Sequence, residues 1–364
     1  MRYLFLISHP AHYHLFKHFI QMLISEKQDV KILVRPKDVL VDLMNESGLT
    51  YTLVSSGDRR PGKLNMLLSL FNRIVVVLFI ARKYKPNFLI GSDSTLAFVG
   101  LILRIPSFEF SEDDESVIKL YARLSYPFYT NIISPINCSA GKWEYKKIGY
   151  AGYHESAYLT PKHFVPSESI VDKYGLVKPY SILRFSSLNA HHDGGIRGIT
   201  TNMAIELISH IKQKWNLNIY ITSEKELDND FEQYRLKINP VDVHHILAYA
   251  DILVSDSQSM SMEAAVIGTP SLRISSFAGK ISVLEELEHT YGLTFGVQPS
   301  IEMNDLLSKI DFILEPKKAV YTDRRAKMLE VKIDFDFFMH WFFSNYPESK
   351  VILKNNPGYQ LRFK

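Results

Sequence analysis

The chain has 364 residues, enough for two domains with full cores. Its 46% hydrophobic and 22% charged content excludes a disordered or fibrous protein. The net charge of +3, with 20 Lys/Arg against 14 Asp/Glu over residues 1–165, lacks the concentrated basic stripe of a nucleic-acid binder.

Strands and helices alternate along the chain. Residues 3–8 form a short apolar run, read as a buried strand and too short for a secretory signal. Helical spacing follows over 14–25, then a strand at 30–34, a helix at 37–47 and a strand at 51–54. Later strands fall at 88–91 and 131–134, and helices at 94–103 and 116–125. The pattern weakens over 150–179, where Gly152, Pro161, Pro166, Gly175 and Pro179 mark a linker with one short helix at 167–174. It restarts with a strand at 180–185 and a helix at 198–215. Strands at 218–222, 252–255 and 270–274 follow, with helices at 241–249 and 259–267. An aromatic-rich helical tail covers 323–346. Such alternation implies parallel sheets with right-handed crossovers. The reading is therefore an α/β protein with doubly wound domains at 1–165 and 166–330 and a tail at 331–364 that packs back on the first. Ligands of such sheets bind outside the carboxyl ends of the strands, so the cleft between two domains is the expected site.

The single cysteine, Cys138, excludes an intramolecular disulfide framework and a multi-cysteine zinc site, and reads as a small buried hydrophobe in a reducing compartment. Chemistry is expected at the strand ends. Ser8-His9-Pro10-Ala11-His12-Tyr13-His14 places three histidines between a strand and a helix. A neutral imidazole there can serve as a general base, against the alternatives of capping, packing or metal binding. Asp93, in Gly91-Ser92-Asp93-Ser94, is either a helix N-cap or a site carboxylate. Glu109 alternates with Phe108 and Phe110, which makes it a candidate for a raised pKa. In the second half, 184–195 is a polar loop ending in Gly194-Gly195, suited to a pyrophosphate, with Arg184, Ser187, Asn189 and His192 as contacts. Asp256, Ser257, Gln258 and Ser259 form a hydroxyl-rich turn into a helix that carries Glu263, placed to accept ribose hydroxyls. Residues 59–85 hold seven Lys/Arg and no Asp/Glu around a long apolar stretch. They read as either a buried helix or a membrane-surface helix with a basic rim.

Together these residues resemble the GT-B superfamily of nucleotide-sugar enzymes, and within it the family catalogued as domain of unknown function 354. The resemblance rests on His9-Pro10-Ala11-His12-Tyr13-His14-Leu15-Phe16-Lys17, on Asn189-Ala190-His191-His192-Asp193, and on Ser255-Asp256-Ser257-Gln258 with Glu263-Ala264-Ala265. It implies a GT-B fold and a nucleotide-sugar substrate, with no metal or other cofactor. Two related groups differ in what they imply. The glycosyltransferase of the lipid-linked peptidoglycan precursor is similar in having a first-loop histidine, matched by His12 or His14, and a membrane patch in its N-terminal domain. The non-hydrolysing UDP-N-acetylglucosamine 2-epimerases are similar at Asp93, Glu109, Glu112, His192, Asp256-Ser257 and Glu263. This chain has Gln258-Ser259 where they have two glycines, and Ala264 in place of a glutamate. The expectation is thus a metal-independent, inverting glycosyltransferase that uses a UDP-linked sugar in surface polysaccharide or glycoconjugate synthesis. Its acceptor would be a glycan or lipid-linked molecule, and it would work in the cytoplasm with peripheral membrane contact through 59–85. The alternative is a sugar-nucleotide 2-epimerase using Asp93, Glu109, Glu112 and His192.

Overall fold

The computed structural model describes residues 1–37, 39–54, 63–185, 198–223 and 227–364. The chain divides into two compact units, Met1–Tyr158 with Lys332–Lys364, and Leu159–Val331.

In the first unit β1 (Arg2–Ile7), α1 (Pro10–Ser25), β2 (Asp29–Val34), α2 (Leu40–Glu46), β3 (Tyr51–Leu53) and α3 (Lys63–Tyr84) alternate. They are followed by β4 (Phe88–Gly91), α4 (Ser94–Leu103), β5 (Ser107–Phe110), α5 (Lys119–Ser125), β6 (Asn131–Pro135) and β7 (Lys147–Tyr150). The seven strands form one parallel sheet in the order 3-2-1-4-5-6-7. Every residue of β1 from Tyr3 to Ile7 is buried, as expected of a strand covered on both faces. The order reverses between β1 and β4, where Leu6 pairs with Gly91. A Cβ at Gly91 would lie 2.4 Å from the Leu6 carbonyl oxygen, so only glycine lets the two strands close there.

A short helix, α6 (Ser156–Leu159), runs across the division between the units. In the second unit α7 (Glu168–Lys173), β8 (Tyr180–Phe185), α8 (Thr201–Trp215), β9 (Asn218–Ser223), α9 (Asn229–Glu232) and α10 (Val243–Tyr249) lead to β10 (Ile252–Ser255) and α11 (Gln258–Ile267). Then come β11 (Ser271–Ile274), α12 (Ser282–His289), β12 (Thr294–Val297), α13 (Met303–Leu314) and α14 (Lys318–Val331). The sheet is parallel in the order 12-11-10-8-9 and reverses between β8 and β10.

The C-terminal segment of the first unit holds α15 (Phe335–Ser344), α16 (Glu348–Asn355) and a 3₁₀ turn, Pro357–Phe363. The single tail helix expected over 323–346 is two helices. Asp334 ends the run between them by capping α15, its side chain accepting from the Phe337 amide at 3.1 Å. α15 buries Phe335, Phe338, Met339, Phe342 and Phe343, one stripe at helical spacing. Phe343 meets Phe108 at 4.9 Å, Phe88 at 5.2 Å, Phe19 at 5.9 Å and Tyr3 at 6.3 Å between ring centroids. The tail therefore completes the core under β1, β4 and β5. Phe343→Ala is expected to destabilise the first unit by about 3–5 kcal/mol, the usual range for a fully buried phenylalanine. Urea unfolding monitored by circular dichroism checks this, and an unchanged midpoint would show that the stack does not hold the tail.

Candidate active site

The carboxyl ends of β1, β4, β5 and β7 carry the polar side chains of the first unit. The three-histidine segment is not a loop but the start of α1. Pro10 occupies the first turn, where its missing N–H costs nothing, and the His9 ring accepts from the Ala11 amide at 3.2 Å as the N-cap. His12 and His14 therefore point by helical phase. His14 is buried and stacks on Tyr158 at 4.9 Å, a packing position that does not suit the expected base. His12 is half-buried, with Nδ1 3.4 Å from Ser8 Oγ. Burial, and then the nearby His9, His154 and Lys37, hold its pKa well below the ordinary histidine value. His12 is thus a neutral imidazole at physiological pH.

Asp93 follows β4 and caps α4. Its Oδ1 accepts from the Thr95 amide at 3.0 Å and the Thr95 hydroxyl at 2.6 Å. Its Oδ2 accepts from Arg35 Nη1 at 3.2 Å, and Arg73 Nη2 lies 3.8 Å from Oδ1. Glu109 lies within β5, only 1% exposed, and accepts from the Tyr121 hydroxyl at 2.8 Å. Burial pushes its pKa up to about 8. Both carboxyls are buried among these partners, and Glu109 has the raised pKa that its setting between Phe108 and Phe110 suggested.

A second group gathers around Glu112, just beyond β5. Its Oε1 accepts from the His154 amide at 2.9 Å, and its Oε2 lies 3.6 Å from His154 Nδ1. It shares a side-chain hydrogen bond with Glu155, and Lys332 lies near enough to favour its charged form. Burial outweighs both and raises the Glu112 pKa, while burial lowers that of His154 to about 3. At neutral pH the contact therefore joins a protonated carboxyl to a neutral imidazole rather than two ions. Cys138 is buried here, donating to the Glu112 carbonyl at 3.0 Å. Sequence reasoning missed His154, Glu155, Lys332 and Arg35. Recognising 147–150 as a strand would have placed His154 and Glu155 at its carboxyl end.

In the second unit the switch between β8 and β10 brings Arg184 beside Ser255, and the Asp256 amide approaches the Arg184 carbonyl at 3.4 Å. Ser257 caps α11, with its hydroxyl 3.4 Å from the Met260 amide. Gln258 Nε2 donates to Ser275 Oγ at 2.7 Å, and Ser259 is exposed. Glu263 lies on α11 and pairs with His244, 3.1 Å from its Nε2, a partner the sequence did not reveal. A Cβ at Gly198 would lie 2.7 Å from Asp256 Oδ2, so the backbone there runs against the Asp256 carboxylate. Ser187, Asn189 and His192 lie outside the described residues, as does the start of the basic segment at 59–62.

A profile of the family described as "Protein of unknown function (DUF354)" matches residues 4–291. The chain belongs to this family. No curated protein matches it. Among solved structures, it is similar to the UDP-GlcNAc 2-epimerase of Neisseria meningitidis bound to UDP-GlcNAc, with 12% identity, a TM-score of 0.65, and coverage of 95% of this chain and 100% of that one. The UDP-N-acetylglucosamine 2-epimerase of Rickettsia bellii gives 14% identity and a TM-score of 0.65 over 98% and 99% of the two chains. A glycosyltransferase of Streptomyces sp. SF2575 gives 13% and 0.55 over 93% and 98%. The GT-B fold is thus shared with both classes of enzyme.

The raised pKa of Glu109 makes a stability prediction. The folded state holds this proton more tightly than the unfolded chain, so the contribution is full below the ordinary carboxylate value and is lost as pH rises through about 8. Glu109→Gln keeps the shape and removes the titration. Between the ordinary value of 4.5 and about 8, wild type should lose stability relative to the variant by up to about 1.4 kcal/mol per pH unit. Chemical unfolding across this pH range checks it; parallel curves would contradict the assignment.

Proposed function

We propose that the protein is an inverting glycosyltransferase that moves a sugar from a UDP-linked donor to a hydroxyl of a glycan or lipid-linked acceptor. The observation that carries this reading is the contrast within the first unit. His12 is a half-buried imidazole held neutral beside the strand ends, whereas Asp93 and Glu109, on which an epimerase's elimination would rest, are sealed. His12 would take the proton from the acceptor hydroxyl as its oxygen attacks the anomeric carbon and the nucleoside diphosphate leaves. In the second unit, Arg184 and the amides opening α11 at Ser257 would receive the diphosphate, with Asp256, Ser259 and Glu263 about the nucleotide. The same fold in proteins that bind UDP-GlcNAc supports a UDP-linked donor. A role in surface-glycan synthesis on the cytoplasmic side goes with this reading.

Proton NMR of the protein with a panel of nucleotide sugars in heavy water tests it. The expected result is donor binding with at most slow release of nucleoside diphosphate and no deuterium at C2. An epimeric nucleotide sugar deuterated at C2 would overturn the reading in favour of an epimerase. His12→Ala should lower transfer by about 10²–10⁴-fold, the usual worth of a general base. His14→Ala should change it far less at equal folded content, and the reverse ranking would remove the base from His12.

A further inference from the structure

We propose that α3, α4 and α5 form a docking surface for an anionic lipid bilayer. The proposal extends the membrane contact expected of 59–85 to two more helices and stands independently of the reaction assigned above. α3 has a polar anchor on one side and an apolar stripe on the other. Arg73, Val77 and Ala81 recur at helical spacing and face the core, with Arg73 3.8 Å from Asp93. Met66, Leu67, Phe71, Val75 and Phe79 are exposed, Phe79 by 72%. Most of the apolar length of this helix is exposed. A soluble protein rarely leaves so long an apolar stripe open.

The neighbouring helices continue the surface. α4 packs against α3 and exposes Leu101 and Ile102, while α5 packs against α4 and exposes Leu120 and Leu124. Exposed cations accompany the apolar groups on these segments, Arg82, Lys83 and Lys85 after the α3 stripe, Arg104 after α4, and Lys119 and Arg123 on α5. None of the three helices contains an aspartate or glutamate. Apolar side chains beside a rim of one sign match the acyl and phosphate layers of an anionic leaflet. A second copy docking by a two-fold axis would set this cationic rim against itself. Spanning is excluded by the anchor, because crossing would strip Val77 and Ala81 from the core and carry Arg73 into hydrocarbon.

The test uses the full chain without any nucleotide sugar. It should co-sediment with phosphatidylglycerol–phosphatidylcholine vesicles and not with phosphatidylcholine alone, and binding should weaken as salt rises. Phe71→Asp combined with Phe79→Asp, and separately Lys83→Glu combined with Arg123→Glu, should each weaken binding at least about tenfold while the thermal midpoint is kept. These positions are exposed, so folding is not at stake. Absence of binding to anionic vesicles, or binding that neither pair alters, would overturn the proposal. So would sedimentation equilibrium showing self-association that the Phe71/Phe79 pair abolishes, with no vesicle binding.

Discussion

A carboxylate sealed from water must be neutralised by what surrounds it, and at Asp93 that requirement organises the first unit. Arg35 reaches it from beyond the end of β2, Arg73 from the middle of α3, and the first turn of α4 from its own N-terminus. The Tyr129 hydroxyl adds a hydrogen bond to the Asp93 carbonyl at 2.7 Å. Four segments distant in sequence are thereby fixed at the point where the strand order reverses. The rotation of α3 about its axis follows from this. With Arg73 held inward, the stripe through Phe71, Val75 and Phe79 has to face outward.

The polar groups near His12 hold few net charges despite their number. His12 and His154 are neutral, and Glu112 keeps its proton, all for the same reason of burial. Glu109 is enclosed because it lies within β5 rather than past its end, and Asp93 because two arginines and a helix start converge on it.

Much of the fold was legible because buried parallel strands appear as uninterrupted apolar runs. The strands at 88–91, 180–185 and 252–255 and the helix at 94–103 fall where the pattern places them. β7 was not legible, since Lys147 and Gly149 break its apolar run. The sequence pattern likewise assigns no element to α12, β12 or α13. Three histidines looked like a loop because polar residues around a proline resemble a turn, whereas Pro10 in fact opens a helix. At the site, the histidine at 12 and the hydroxyl-rich turn at 255–259 were visible as local motifs. Contacts such as Arg35 with Asp93, or Lys332 near Glu112, join residues that no spacing rule relates, so only folding reveals them. The same holds for His244, which meets Glu263 from a different helix.

The return of Lys332–Lys364 to the first unit sets an order of assembly. Residues 1–158 leave the ribosome first, yet Tyr3, Phe88 and Phe108 lack the aromatic partner that Phe343 supplies until the whole intervening unit has been made. Leu159–Val331 has its own five-stranded sheet and can fold in that interval. The first unit thus completes its core only after the second has been made.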